Sequence, residues 1–127
     1  MIKKDTRILV VDNEIDICNF VKMFFETRGY GVMTALNGDE AMRQLTTEKP
    51  NVVILDVSMR TDDEGLKYLP QIKELYPELK VIMVTGMDDL DTVTKARALG
   101  ADDYITKPLM LEYLESTVIG KIRSLNI

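Results

Sequence analysis

Three stretches of this chain are almost unbroken aliphatic runs: Ile8-Leu9-Val10-Val11, Val52-Val53-Ile54-Leu55 and Val81-Ile82-Met83-Val84. A strand that is apolar at every position is buried on both faces, as in a parallel sheet covered by helices on either side. The full set of β-type runs is Arg7–Val11, Gly31–Leu36, Val52–Leu55, Val81–Thr85 and Asp102–Ile105. Helical spacing fills the gaps between them. Ile17, Cys18, Val21, Phe24 and Phe25 share one face of a first helix, and Leu111, Leu114, Val118, Ile122 and Leu125 form the stripe of the last. Asn37-Gly38-Asp39 opens a second helix that stops before Pro50, and Gly65 to Tyr76 reads as a third, ending before Pro77. Asp88 or Asp89 can cap the fourth, with Gly100 as its stop. The order is βα repeated five times, which implies an α/β fold with a parallel sheet and right-handed crossovers. No linker, low-complexity tract or second domain interrupts residues 1–127, so one domain is expected. Strand order is not contained in this pattern.

The residues that are missing restrict the chemistry. The chain has no histidine, which excludes a serine–histidine triad, a histidine–zinc site and an imidazole base. Any phosphohistidine involved must belong to another protein. A single cysteine, Cys18, excludes an internal disulfide and a cysteine-built zinc site, and its place on an apolar helix face reads as core packing. The net charge of −5, without a dense Lys/Arg run, argues against direct nucleic-acid binding. No signal-peptide pattern and no membrane-spanning apolar stretch is present, so the expectation is a cytoplasmic protein without membrane contact.

What the chain does carry is polar chemistry at strand ends. Asp12 follows the first aliphatic run, Asp56 the third, Thr85 closes the fourth and Lys107 follows the fifth. In a parallel α/β sheet these four positions share the edge where ligands collect. Either aspartate alone reads as an ordinary strand stop. Two carboxylates, a hydroxyl and an ammonium together suit a hard cation such as Mg²⁺ and an acyl-phosphate chemistry on a carboxylate nucleophile. Such transfer relies on positioning and charge neutralisation rather than on acid–base groups.

The segments Ile8-Leu9-Val10-Val11-Asp12, Val53-Ile54-Leu55-Asp56, Val81-Ile82-Met83-Val84-Thr85 and Gly100-Ala101-Asp102-Asp103-Tyr104-Ile105-Thr106-Lys107-Pro108 resemble, in order and spacing, the receiver domain of two-component response regulators. The resemblance covers essentially the whole chain. It implies a doubly wound flavodoxin-like fold with strand order 2-1-3-4-5, the order for which the chemotaxis receiver CheY is a reference example. It also implies roles. Asp56 would accept a phosphoryl group from a phosphohistidine on a sensor histidine kinase or phosphotransfer protein. Asp12, Asn13, Asp56 and the Ser58 backbone carbonyl would hold Mg²⁺. Thr85 would hydrogen-bond a phosphoryl oxygen and Lys107 would pair with the phosphorylated carboxylate. Tyr104 would be the switching aromatic. The Lys107–Pro108 bond would be cis. The face built from Lys95, Tyr104 and the fifth helix would meet a downstream output protein or fused domain, or a second copy of the chain.

The chain departs from the family pattern in three places. Asn13 stands where a second acid is usual and brings no charge, which predicts Mg²⁺ binding weaker by about tenfold or more. Glu14 is expected in the first turn of the helix, where a negative charge suits the dipole. After Asp56, Arg60 replaces the usual proline and Gly65 comes one residue later than the pattern has it. Without proline's fixed φ the loop is expected to be looser, and Asp62-Asp63-Glu64 reads as a solvated acidic stretch. Gly86 follows Thr85 where alanine is typical, which keeps access to the site open. Met59 and Met87 lie near these positions and read as packing.

Three other readings compete with a phosphorylatable signalling switch. One is a degenerate receiver that binds partners without phosphorylation, motivated by Asn13 and the altered loop. Another is an aspartyl-nucleophile phosphatase, which would need an acid where Ser58 stands and a cap domain. Flavin binding would need a phosphate-cradling loop that Gly29-Tyr30-Gly31 does not supply.

Overall fold

The computed structural model describes residues 6–86 and 90–124. These residues form strands β1 (Arg7–Val11), β2 (Gly31–Ala35), β3 (Val52–Asp56), β4 (Lys80–Thr85) and β5 (Asp103–Thr106). The helices between them are α1 (Ile15–Glu26), α2 (Gly38–Glu48), α3 (Glu64–Leu75) and α4 (Leu90–Ala98). The last helix, α5, starts as Leu111–Tyr113, widens to a π-helical stretch over Leu114–Ile119 and closes as Gly120–Ser124. All pairings are parallel and the strand order is β2-β1-β3-β4-β5, as the family resemblance implied.

The unbroken aliphatic runs are explained by two cores. Ile8, Val10, Ile54, Ile82 and Val84 point to the face covered by α1 and α5, where they meet Cys18, Val21, Phe25, Leu114 and Ile122. The alternate residues Leu9, Val11, Val53, Leu55, Val81 and Met83 point to the opposite face, against Ala41, Leu45, Leu69, Ile72 and Ala96 of α2, α3 and α4. Each such aliphatic side chain taken from water stabilises the fold by roughly 1.5–3 kcal/mol before entropy is counted. A polar residue in the aliphatic middle of β1, β3 or β4, away from their polar ends, would break one of the two layers.

Helix ends follow their sequence signals. The Asn37 side chain accepts from the Glu40 backbone N–H at 3.0 Å and caps α2. Gly100 takes φ +109° just beyond α4, a conformation open to glycine at little cost. Lys49 ends α2 in the same left-handed region with φ 49°. The proposed cap Asp88 or Asp89, Met87 and Leu125 lie outside the described residues.

Three expectations are corrected. Leu111 is 51% exposed and does not belong to the buried stripe of α5, which begins at Leu114. The stripe Leu114, Val118, Ile122 steps by four through the π-helical stretch, and the step of three back to Leu111 leaves that line. Helix α3 begins at Glu64, one residue before Gly65, and Glu64 is buried rather than solvated. Glu14 is the N-cap residue of α1 with extended φ and ψ, outside the first turn, where the acid is Asp16.

Candidate functional site

Register places the four sequence-predicted polar residues at one edge. Val11 pairs with Leu55, Asp56 with Val84, and Thr85 with Thr106, so Asp12, Asp56, Thr85 and Lys107 all emerge at the carboxyl ends of β1, β3, β4 and β5. The Asp12 backbone N–H still donates to Ala35 at 3.0 Å and that of Lys107 to Thr85 at 2.8 Å, so both are held by the ladder itself. Asp12, Asp56 and Thr85 are buried, at 3%, 2% and 4% exposure. The Lys107 ammonium reaches both acids, at 3.0 Å from Asp56 Oδ2 and 3.2 Å from Asp12 Oδ2.

The electrostatics follow from that shared cation. Burial raises the Asp56 carboxyl from its ordinary 3.8 to about 6; Lys107 pulls it down and Asp12 pushes it up. Burial also disfavours the charged form of Lys107, but its bonds to Asp56 and Asp12 outweigh this and leave its pKa raised. Asp56 is therefore an ionised but poorly solvated carboxylate at neutral pH, held against one ammonium. Cys18 lies beneath, its thiol 3.3 Å from the Asp12 carbonyl oxygen. Burial, then Asp12, pushes that thiol up to about 11, which keeps it an inert core group.

A cavity of about 560 Å³ opens over these groups, lined by Asn13, Glu14, Asp56, Ser58, Asp62, Thr85, Gly86 and Lys107 among others. Among the described residues beyond its chain neighbours, a methyl on Gly86 would meet no heavy atom within 4 Å. The donor set is carboxylate, amide and backbone oxygen, which fits a hard cation. Among the described residues no three acids, histidines or cysteines converge on a common point. Asn13 turns its Nδ2 toward the Met59 carbonyl at 3.3 Å. A more apolar cavity of about 600 Å³, lined by Leu45, Pro50, Tyr76 and Leu79, lies at the opposite end of the strands, away from the acids.

The loop between β3 and α3 is built on Gly65. A Cβ there would come within 2.0 Å of the Asp56 carbonyl oxygen and 2.9 Å of the Val57 Cα, and its N–H donates to Val57 at 2.8 Å. Only glycine permits this approach, so the residue inserted after Asp56 is absorbed between Val57 and Glu64. Arg60 and Glu64 form a loop-anchoring pair that sequence reasoning missed. Glu64 accepts from the Arg60 backbone N–H at 2.9 Å, from its guanidinium at 2.6 Å and from the Gly38 N–H at 2.9 Å. Hydrogen bonds from Arg60 pull the Glu64 carboxyl down to about 2, against the opposing effect of burial. Asp39 also joins Arg60, at 3.5 Å, and accepts from the Tyr68 hydroxyl. Arg60 lies in the loop before α3, so the helical i, i+4 rule gave no signal for the pair.

Tyr104 is half-buried against the α2–α4 core, with the Arg97 guanidinium 5.3 Å from its ring centroid. Lys95 is exposed on α4. The Lys107–Pro108 bond is cis, as implied.

The profile of the response regulator receiver domain matches residues 8–119 of the chain. The alkaline phosphatase synthesis transcriptional regulatory protein PhoP of Bacillus subtilis is 37% identical over 119 residues, covering 92% of this chain and 48% of the relative. The chain thus spans about half the length of that curated relative, and 24% of the nitrogen assimilation regulator NtrX of Azorhizobium caulinodans. Among solved structures, a CheY-like receiver domain from Methanospirillum hungatei superposes with a TM-score of 0.88 at 31% identity, covering 95% of this chain and 96% of that one. No helix among the described residues is long and apolar enough to cross a membrane.

Proposed function

The chain belongs to the response regulator receiver domain family, and from that premise we propose that Asp56 accepts a phosphoryl group from a phosphohistidine of a partner kinase or phosphotransfer protein. Receiver domains are signalling switches of two-component systems, and the observation that carries the assignment here is the buried Asp56 carboxylate held 3.0 Å from Lys107 at the strand edge. One Asp56 oxygen attacks phosphorus, an O–P bond forms, the P–N bond to the donor imidazole breaks, and the freed nitrogen takes a proton from solvent. Lys107 offsets the charge that gathers on the carboxylate and the transferred group. Thr85, on the neighbouring strand, donates its hydroxyl to a phosphoryl oxygen. That new bond draws on the β4 end, and Tyr104, on β5 beside α4, carries the change to the face that includes Lys95.

Asp12, Asp56, the Asn13 amide and the Ser58 carbonyl form the oxygen set that would hold Mg²⁺. The cation would supply charge neutralisation at the phosphoryl oxygens. A relative supports both halves of this reading: a response regulator from Burkholderia pseudomallei, 27% identical, was solved with a phosphorylated aspartic acid and a calcium ion. The curated relatives are named transcriptional regulators and are longer than this chain, which supports an output partner or fused output domain downstream.

The test is incubation with MgCl₂ and acetyl phosphate, read by intact mass. One phosphoryl group is expected on the wild type and none on Asp56→Asn. Absence of an adduct on the wild type over a wide range of MgCl₂ overturns the assignment and leaves a phosphorylation-independent interaction module.

A further inference from the structure

Two of the departures from the family pattern, Asn13 and Arg60, act on the same loop. The Asn13 Nδ2 donates to the Met59 carbonyl at 3.3 Å, from the β1–α1 turn. The next residue, Arg60, is held by the first residue of α3. Its backbone N–H donates to Glu64 at 2.9 Å, and its guanidinium closes on the same carboxylate at 2.6 Å. Glu64 is anchored in turn by the Gly38 N–H at 2.9 Å, which ties the pair to the start of α2. Consecutive residues of the phosphoacceptor loop are therefore held by two different elements, Met59 from the β1–α1 turn and Arg60 from the start of α3.

The residue types are the ones these bonds require. An aspartate at position 13 has acceptors only and would face a carbonyl oxygen with like partial charge. A proline at position 60 has no N–H to give to Glu64. The substitutions that remove a metal-binding charge and a stiffening ring are thus the same substitutions that create two polar braces.

We propose that Asn13 is a positioning residue which, with the Arg60–Glu64 pair, holds the phosphoacceptor loop in its working shape without a bound divalent cation. An acid at position 13 would leave the bridge between the β1–α1 turn and the loop to a cation binding both. The amide makes that bridge directly. The proposal rests on the reading of Asp56 as phosphoacceptor for its significance, but its geometry stands on the braces alone.

Amide hydrogen exchange at Met59 and Arg60, followed by NMR without phosphodonor, tests it. In the wild type these amides should exchange at rates within about twofold of each other in EDTA and in MgCl₂. Asn13→Ala should speed them about three- to tenfold, the effect of one lost hydrogen bond, while β3 and β4 core amides stay unchanged and certify the fold. Asn13→Asp should be fast in EDTA and slow again in MgCl₂, because the cation then replaces the amide. Unchanged rates in Asn13→Ala, or wild-type loop amides that are protected only with MgCl₂, overturn the proposal. Braced amides in a protein that gives no acetyl phosphate adduct leave the clamp standing and remove the phosphoacceptor reading instead.

Discussion

Asp56 and Glu64 are buried carboxylates on either side of one short loop, yet their environments push them in opposite directions. Asp56 is raised to about 6 by burial, and Glu64 is lowered to about 2 by hydrogen bonds from Arg60. The difference is in the partners. Asp56 shares a single ammonium with a second acid, at 3.0 and 3.2 Å. Glu64 takes the close side of the Arg60 guanidinium, which Asp39 meets only at 3.5 Å, and two backbone N–H groups besides. Burial alone therefore does not decide whether a carboxylate is strained or settled. The under-partnered acid is the one at the reactive edge, where an incoming phosphoryl group and cation can complete its surroundings; the fully partnered one is a structural anchor.

Gly65 joins the two regions, and its replacement should have the largest effect. Gly65→Ala places a methyl 2.0 Å from the Asp56 carbonyl oxygen, an overlap that backbone on both sides must relieve. We expect a loss of about 3 kcal/mol or more in urea unfolding, despite alanine's better helix propensity. A loss below about 1 kcal/mol would mean that the loop and α3 are not packed as tightly as this comparison requires.

Glu64→Gln should follow. It removes the charge from the anchor while keeping its shape, and leaves Arg60 and a backbone N–H poorly matched. Destabilisation of about 2 kcal/mol at pH 7 is expected, discounted for the half-exposed Arg60. The pH dependence carries the sharper signature. The Glu64 pKa is depressed on folding from 4.5 to about 2, so its contribution is present above about 4.5 and is lost as pH falls toward 2. The difference between wild type and Glu64→Gln should shrink over that window.

Asp56→Asn should act in the opposite sense. The folded-state pKa is raised from 3.8 to about 6, so wild-type stability falls as pH rises through this interval. The variant escapes that penalty. It should be more stable than wild type by about 1–2 kcal/mol at pH 7 to 8, allowing for the lost attraction to Lys107, and equal to it below about pH 4. Urea midpoints measured across pH test this. A variant less stable than wild type at pH 8 would show that the Lys107 pair outweighs burial and Asp12. In the phosphorylation assay, the wild-type rate should decline toward acid pH as the nucleophilic carboxylate takes up its proton, and rising MgCl₂ should move that decline below the cation-free value of about 6.

The two regions also differed in how legible they were. Asp12, Asp56, Thr85 and Lys107 could be placed together because each terminates a strand, and parallel topology puts all strand ends on one edge. The cores were legible for the same reason: a strand covered on both faces has no polar position to confuse the reading. The Glu64 anchor was hidden because it depends on a tertiary contact, the Gly38 N–H from a different βα unit. An acid in the run Asp62-Asp63-Glu64 looks solvated until that partner is known. Leu111 failed for a related reason, since the π-helical turn after it alters a phase that a uniform helical period assumes.

The smallest effect should come from the other glycine of the site. Gly86 follows Thr85 at the mouth of the cavity, and among the described residues beyond its chain neighbours a Cβ there meets nothing within 4 Å. Alanine can share its backbone conformation, because Gly86 is not among the residues with positive φ. Gly86→Ala should therefore shift stability by about 0.5 kcal/mol or less, where Gly65→Ala shifts it severalfold more. The methyl would narrow the approach to Asp56 without touching the Asp56–Lys107 pair. The acetyl phosphate reaction is then expected to slow modestly while the pH at which it declines stays that of the wild type at the same MgCl₂ concentration. A shift of that pH would show that Gly86 sets the solvation of the carboxylate, and the line drawn here between an open reactive edge and a closed anchor would have to move.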